Sequence, residues 1–322
     1  DTSRYISAQM FNDNTICICR PSAIRFVKTV IDDVIEIYKE AGVPLEMLHT
    51  GGDEVPAGAW AGSPVCQQMM QEKAPADSYR NLQAWFFGKV HGLLQERGLT
   101  TGGWEEVAMQ YKADGGWQPN AAFANGTVVP YVWNSLWGQQ DLGYRLANAG
   151  YPVVLCNVTN FYFDLAYNKD PQEPGLYWGG FVDTRKAFEF VPMDLFKSMR
   201  TDPMGKPFVM ADFDGQERLA PEAQKNILGL QGQLWSETVK SGEMLEYYYL
   251  PKLLGLAERA WQGQQTYMAV ANSKQRQQKT AEAWNEFANR TGQYELPRLA
   301  ELHGGYNYRV APPGARVQNG QL

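Results

Sequence analysis

Apolar positions along the chain alternate between two rhythms. In residues 25–41 (RFVKTVIDDVIEIYKEA), Phe26, Val27, Val30, Ile31, Val34, Ile35 and Tyr38 fall on one stripe at helical spacing, and Gly42 marks the stop. A short apolar run ending at Leu48 predicts a strand. Residues 81–97 predict the next helix, with Leu82, Trp85, Phe86, Val90, Leu93 and Leu94 facing inward and Gly98 as its C-terminal stop. Residues 100–107 (TTGGWEEV) predict a second strand end, and residues 128–134, 152–164 and 226–237 supply three more apolar runs that finish in aromatic and acidic residues. Helices are expected at 143–149 and 192–200, with a longer one at 244–261. Strands alternating with helices imply parallel β/α units, because parallel neighbours need a crossover connection. Five strands are three short of a closed β/α barrel. Beyond Trp261 the pattern turns to polar helical sequence at 273–290, and Pro312-Pro313-Gly314 opens an extended tail.

Composition narrows the class of partner. The 322 residues are 44% hydrophobic and 20% charged, which suits one large globular domain or one domain with a tail. A net charge of -6 without a Lys/Arg cluster argues against nucleic acid as the main partner. No apolar run approaches the ~18 residues of a membrane span. The 3 histidines, His49, His91 and His303, are widely spaced and lack HExxH or CxxC companions, so neither a catalytic zinc nor another cofactor is expected. Four cysteines are too few for a disulfide-built scaffold. A bridge from Cys17 or Cys19 to Cys66 would staple the loops near residue 50, and free buried thiols are the alternative.

The strand ends carry the candidate chemistry. Residues 49–56 read HTGGDEVP, which places Asp53 and Glu54 side by side where a strand leaves the core. Adjacent carboxylates there must repel one another or be used, and in a β/α barrel such exits form the active-site face. A solvated Gly-Gly turn bearing two ordinary acids is the bland alternative. The other exits offer Trp104 with Glu105 and Glu106, Trp133, Tyr162 with Asp164, and Trp235 with Glu237. Core packing explains a few Trp residues, Trp85 and Trp261 first, but not the carboxylates beside the others. A sugar site explains both, since pyranose C–H faces stack on aromatic rings while hydroxyls bond to carboxylates.

HTGGDE, NFYFD, GLYWGG and QGQLWSE, in that order, resemble glycoside hydrolase family 20, the β-N-acetylhexosaminidases. TSRYISAQMF and the YW at Tyr177-Trp178 point to its bacterial chitobiase branch, and the likeness runs from residue 1 to about 262. The resemblance implies a (β/α)8 barrel and removal of terminal β-linked N-acetylglucosamine or N-acetylgalactosamine from chitobiose and chito-oligosaccharides. It also implies substrate-assisted retention, in which the sugar's 2-acetamido oxygen attacks the anomeric carbon. Glu54 would then protonate the leaving oxygen and later deprotonate water, which requires a raised pKa. Asp53 would orient the acetamide N–H and Tyr162 would bond its oxygen. Trp104, Trp133 and Trp235 would wall the pocket, Glu237 and Asp164 would hold sugar hydroxyls, Trp178 would carry the second sugar, and His49 would support the acids as a hydrogen-bond donor. Trp178 as a loop anchor, Asp164 as a helix cap and His49 as a core histidine remain the plainer alternatives.

One departure from the family pattern stands out. The Arg, Asp and His motifs of the family's first three strands are missing, so the chain resembles strands four to eight only. The expected organisation is residues 1–265 as the C-terminal portion of the barrel, 266–305 as a helical extension and 306–322 as a tail or linker. A half-open sheet should dimerise, retain a separate N-terminal barrel segment or rearrange. The chitobiase likeness implies a periplasmic or exported bacterial protein. Two other functions compete, a non-catalytic sugar-binding fragment and a glycosidase whose nucleophile is Glu105 or Glu237.

Overall fold

The first amphipathic stripe folds as α1 (Pro21–Glu40), beginning a turn before its expected start because Pro21 suits the first helical position, where no N–H is needed. The computed structural model describes residues 2–73, 79–112, 116–263 and 265–311. The part of the tail after residue 311 lies outside the described residues. By its contacts the chain divides into two units, one of Asp1–Trp133, Gln139–Leu155 and Glu217–Gly229, the other of Asn134–Gly138, Cys156–Gln216 and Leu230–Leu322.

In the first unit, α1 is followed by β1 (Met47–His49), α2 (Pro64–Lys73), α3 (Tyr79–Gln95) and β2 (Thr100–Trp104). Ile31 of α1 packs with Val90 and Leu94 of α3 and with Leu99, and Val27, Ile35 and Leu48 close around them. The α1 stripe is wider than this contact. Phe26, Val30 and Tyr38, expected to face inward, are exposed. A second cluster joins Ile18, Trp60 and Leu82 to the Cys19–Cys66 disulfide, and Cys17 and the buried Cys156 lie outside any disulfide. No hydrophobic run foretold which cysteine would pair.

A hairpin of β3 (Met109–Tyr111) and β4 (Trp117–Pro119) follows β2, then β5 (Val128–Val132), α4 (Leu142–Asn148), β6 (Val153–Leu155) and β7 (Ile227–Leu230). The sheet order is β1-β2-β5-β6-β7, with parallel pairing from β1 through β6. All five residues of β5 are buried, as expected of a strand covered on both faces. The strands are shorter than the apolar runs that announced them. The run 152–164 ends as strand at Leu155, because run length alone does not separate a buried strand from a buried helical turn.

The second unit holds that turn as α5 (Val158–Phe161), then α6 (Thr184–Glu189), whose Asp183 cap accepts from the Lys186 N–H at 2.8 Å. The helix expected at 192–200 is only a 3-10 turn at Leu195–Lys197, and the helical role falls to α6 instead. The helix expected at 244–261 is two, α7 (Gly242–Tyr249) and α8 (Lys252–Trp261), because Pro251 between them has no N–H to continue the ladder. Trp261, expected in the core, is 92% exposed at the end of α8. The polar helix appears as α9 (Ser273–Arg290), capped by Asn272, and rests Phe287 against Phe188 of α6 with ring centroids 4.8 Å apart. A last helix, α10 (Leu296–Glu301), follows. Among the described residues no helix is long and apolar enough to cross a membrane.

Candidate active site

In the first unit the site is built on the turn that leaves β1. The pairing of β1 with β2 continues past the strand, since Thr50 N–H donates to Gly102 O at 2.9 Å and Trp104 N–H donates to Gly51 O at 3.0 Å. The chain then turns through Gly51 and Gly52 at φ of 72° and 99°. Only glycine fits the second position, where a Cβ would also lie 2.6 Å from Val107 Cγ1. Gln83 of α3 donates to Gly52 O at 2.5 Å, so the turn is held from both sides.

The two acids follow at once. Glu54 has a left-handed backbone, φ 49°, an uncommon state for a side chain of its kind. Its N–H donates to Glu106 Oε1 at 3.3 Å, and its Oε2 accepts from Gln9 Nε2 at 2.6 Å. Both Asp53 and Glu54 reach solvent, yet the surrounding turn strips enough water from Asp53 to raise its carboxyl above the usual range. Glu106 is pushed up to about 7, chiefly by burial, with the charges of Asp53 and Glu54 acting in the same direction. Its Oε2 is buried without a hydrogen-bond partner among the described residues. Asp53, Glu54, Glu106 and His49 line one cavity of about 490 Å³, which the apolar Val27, Val30 and Phe86 also line.

His49 does not donate to the acids as expected. Its Nδ1 accepts from Gly51 N–H at 3.2 Å, and its ring stands edge-on to Trp104 and Tyr131 at 5.0 and 4.8 Å. It steadies the turn, and desolvation there lowers its pKa. Trp104 and Trp133 are both buried, and the Trp133 N–H donates to Glu105 Oε2 at 2.8 Å. Glu105 is thereby committed to the end of β5.

In the second unit an aromatic group gathers around Tyr162. Trp178 lies 5.9 Å from it, edge-on, and Trp235 lies 6.5 Å away. Tyr162 is linked through a parallel bridge to Gln233, which brings the NFYFD and QGQLWSE segments side by side. Asp164 is buried and accepts the Trp235 N–H at 3.3 Å, so it is not a helix cap. Burial, with help from the nearby charge of Glu237, pushes Asp164 up to about 6. Glu237 itself is exposed. Lys252, fully buried at the start of α8, donates to Phe163 O at 2.8 Å and Leu165 O at 2.6 Å, pinning the carbonyls on either side of Asp164. Desolvation brings its pKa down to about 7, against the pull of Asp164.

Sequence reasoning missed Glu106, Gln9 and Lys252. Glu106 had a signal, as the second acid of Trp-Glu-Glu, but its neighbour was equally eligible. Gln9 lies inside the TSRYISAQMF motif with nothing there to give it a role, and Lys252 had no signal, being remote in sequence from the groups it holds. Among the described residues no group of three His, Cys, Asp or Glu side chains is arranged to hold a metal.

Comparison with known proteins follows the same lines. A family profile described as "Glycosyl hydrolase family 20, catalytic domain" matches residues 2–264. The beta-hexosaminidase of Vibrio vulnificus is 33% identical over 345 aligned positions, covering 100% of this chain and 39% of that protein. The N,N'-diacetylchitobiase of Vibrio harveyi is 32% identical, with 100% and 39% covered. The chain therefore spans 39% of the length of these two relatives. Among solved structures, the GH20 exo beta-N-acetylglucosaminidase of Vibrio harveyi in complex with N-acetylglucosamine aligns with TM-score 0.62 at 24% identity, over 96% of this chain and 39% of that one. The GH20 beta-N-acetylhexosaminidase of Streptomyces coelicolor A3(2) aligns with TM-score 0.59 at 18% identity, over 94% and 47%. At these identities the structural likeness speaks for the fold alone, and with the parallel sheet it agrees with an α/β fold of TIM-barrel type.

Proposed function

The chain belongs to glycosyl hydrolase family 20, and on that premise we propose that the whole protein is an exo-β-N-acetylhexosaminidase of chitobiase type. Its substrates are terminal β-linked N-acetylglucosamine and N-acetylgalactosamine on chitobiose and chito-oligosaccharides. The observation that carries this reading is the strained Gly-Gly-Asp-Glu turn, where Glu54 is held in a left-handed backbone by Glu106 beside a carboxyl raised by burial. A retaining glycosidase that uses its own nucleophile needs two carboxyl groups about 5–5.5 Å apart across the scissile bond, supplied by separate segments. Neighbours on one turn suit another division of labour. The substrate's acetamido oxygen attacks the anomeric carbon, the leaving oxygen takes a proton from Glu54, and Glu54 then draws a proton from the attacking water. Asp53 bonds the acetamide N–H and balances the positive charge that grows there. Tyr162 bonds the acetamide oxygen, while Trp104, Trp133 and Trp235 enclose the sugar and Asp164 and Glu237 hold its hydroxyls. Trp178 carries the second sugar.

In this reading the chain supplies strands four to eight of a (β/α)8 barrel, and an N-terminal segment of the whole protein covers the free edge of β1 and the exposed face of α1. An exported or periplasmic location fits the Cys19–Cys66 bridge, since disulfides persist in oxidising compartments.

The test uses the full-length protein and p-nitrophenyl N-acetyl-β-glucosaminide. Glu54→Gln should lower kcat by roughly 10²–10⁴-fold, whereas Glu105→Gln should leave hydrolysis far less affected. Absence of turnover by the unsubstituted protein would favour a sugar-binding role instead. Equal cleavage of a plain β-glucoside would defeat the acetamide mechanism.

A further inference from the structure

Trp137 combines three features that ordinary packing does not require. It is 70% exposed, its backbone is left-handed at φ 51°, and its ring lies nearly parallel to that of Trp178, at 19° with centroids 6.3 Å apart. A left-handed backbone is costly for a residue with a Cβ, and a Trp left in water recovers little of that cost by burial. The position is nevertheless well defined. Leu136, the residue before, is buried and donates its N–H to Asn134 Oδ1 at 3.0 Å, while Ser135 bonds Thr159 of α5 at 3.1 Å. Gly138, the residue after, continues the turn at φ 80°. A buried anchor on one side and a glycine turn on the other therefore aim the indole outward. Trp178 is itself 43% exposed, and Tyr162 braces it edge-on.

We propose that Trp137 and Trp178 form one extended aromatic platform for the sugars that follow the terminal residue of a β-linked N-acetylglucosamine oligosaccharide. The proposal rests on the hexosaminidase reading and deepens it, adding Trp137 to the Trp178 role given above. The chemistry is that of a flat ligand on a flat surface. In an all-equatorial β-linked pyranose the axial C–H bonds cover both faces of the ring, so successive sugars each present an apolar face to an indole while their hydroxyls stay in water. Two fixed, nearly parallel rings can each offer a face to a sugar with little conformational entropy to lose.

The test compares substrates on the full-length protein. For Trp137→Ala, kcat/KM on chitotriose and chitotetraose, taken relative to that on p-nitrophenyl N-acetyl-β-glucosaminide, should fall roughly tenfold and mainly through KM. Trp137→Tyr should keep most of the ratio, and Trp137→Leu, which retains bulk without a flat face, should lose it. That pair also decides the matter if the Ala variant does not fold. An unchanged ratio in the Leu variant, or the same loss on all three substrates, would overturn the platform. The hexosaminidase reading fails by a different sign, an unsubstituted protein that cleaves none of them. In that event titration calorimetry with chitotetraose still tests the platform, which predicts binding that Trp137→Leu weakens by the same factor and is overturned if the two proteins bind alike or not at all.

Discussion

Glu106 shows what a single residue adds to a visible motif. The acid pair at 53 and 54 can be found by reading along the chain, but Glu106 joins it only because β2 runs into a 3-10 turn at Glu105–Ala108 that sends adjacent acids in different directions. Glu105 caps the end of β5, and Glu106 lies against the acid pair. The raised carboxyl has a consequence for stability. A group whose folded pKa is about 7 instead of 4.5 binds more protons in the folded state, so its contribution is full below about pH 4.5 and is lost as pH rises through about 7. Asp53, also raised, acts with the same sign. We expect Glu106→Gln to flatten the decline in stability across this window by on the order of 1–3 kcal/mol. Urea unfolding at several pH values between 4.5 and 8 measures it, and parallel curves for the two proteins would show that Glu106 ionises as an ordinary carboxylate.

At the scale of elements, amphipathic spacing located α1 and α3 because their apolar positions recur over more than three turns, and α9 was legible as polar helical sequence. It failed at 192–200, where helical hydrogen bonding is confined to one 3-10 turn, and at 244–261, where Pro251 interrupts a periodicity that continues on both sides. What those helices pack against was not legible at all. Helix α8 approaches α6 so closely that a Cβ on Gly255 would run into the carbonyl oxygen of Thr184, a backbone atom with no freedom to rotate away. Gly255→Ala should therefore destabilise the protein by about 1–3 kcal/mol, against the usual gain from replacing a helical glycine. A thermal melt decides the sign, and a raised midpoint would mean that the two helices separate readily.

For the whole molecule, the informative surface is the one that α1 leaves in water. Phe26 and Val30 belong to its apolar stripe, and Val30 also lines the cavity beside the acid turn. If an N-terminal segment covers this face in the full-length protein, Val30→Glu buries a charge without a partner there and should cost about 2 kcal/mol or more. Differential scanning calorimetry of the full-length protein reads the effect. A change within about 0.5 kcal/mol, the range of ordinary surface substitutions, would place the face in solvent instead.

The five strands of the main sheet, the Gly-Gly-Asp-Glu turn and the family were all legible in the linear sequence, because periodicity, turn chemistry and motif order are properties of neighbours along the chain. Tertiary structure alone decided that Cys19 and not Cys17 pairs with Cys66, that Glu106 is the third acid, that Lys252 pins Asp164, and that Trp137 points outward beside Trp178. The reason is common to all four. Each depends on distance and burial between residues far apart in sequence, and a carboxyl, an ammonium or an indole takes its chemistry from what surrounds it in space.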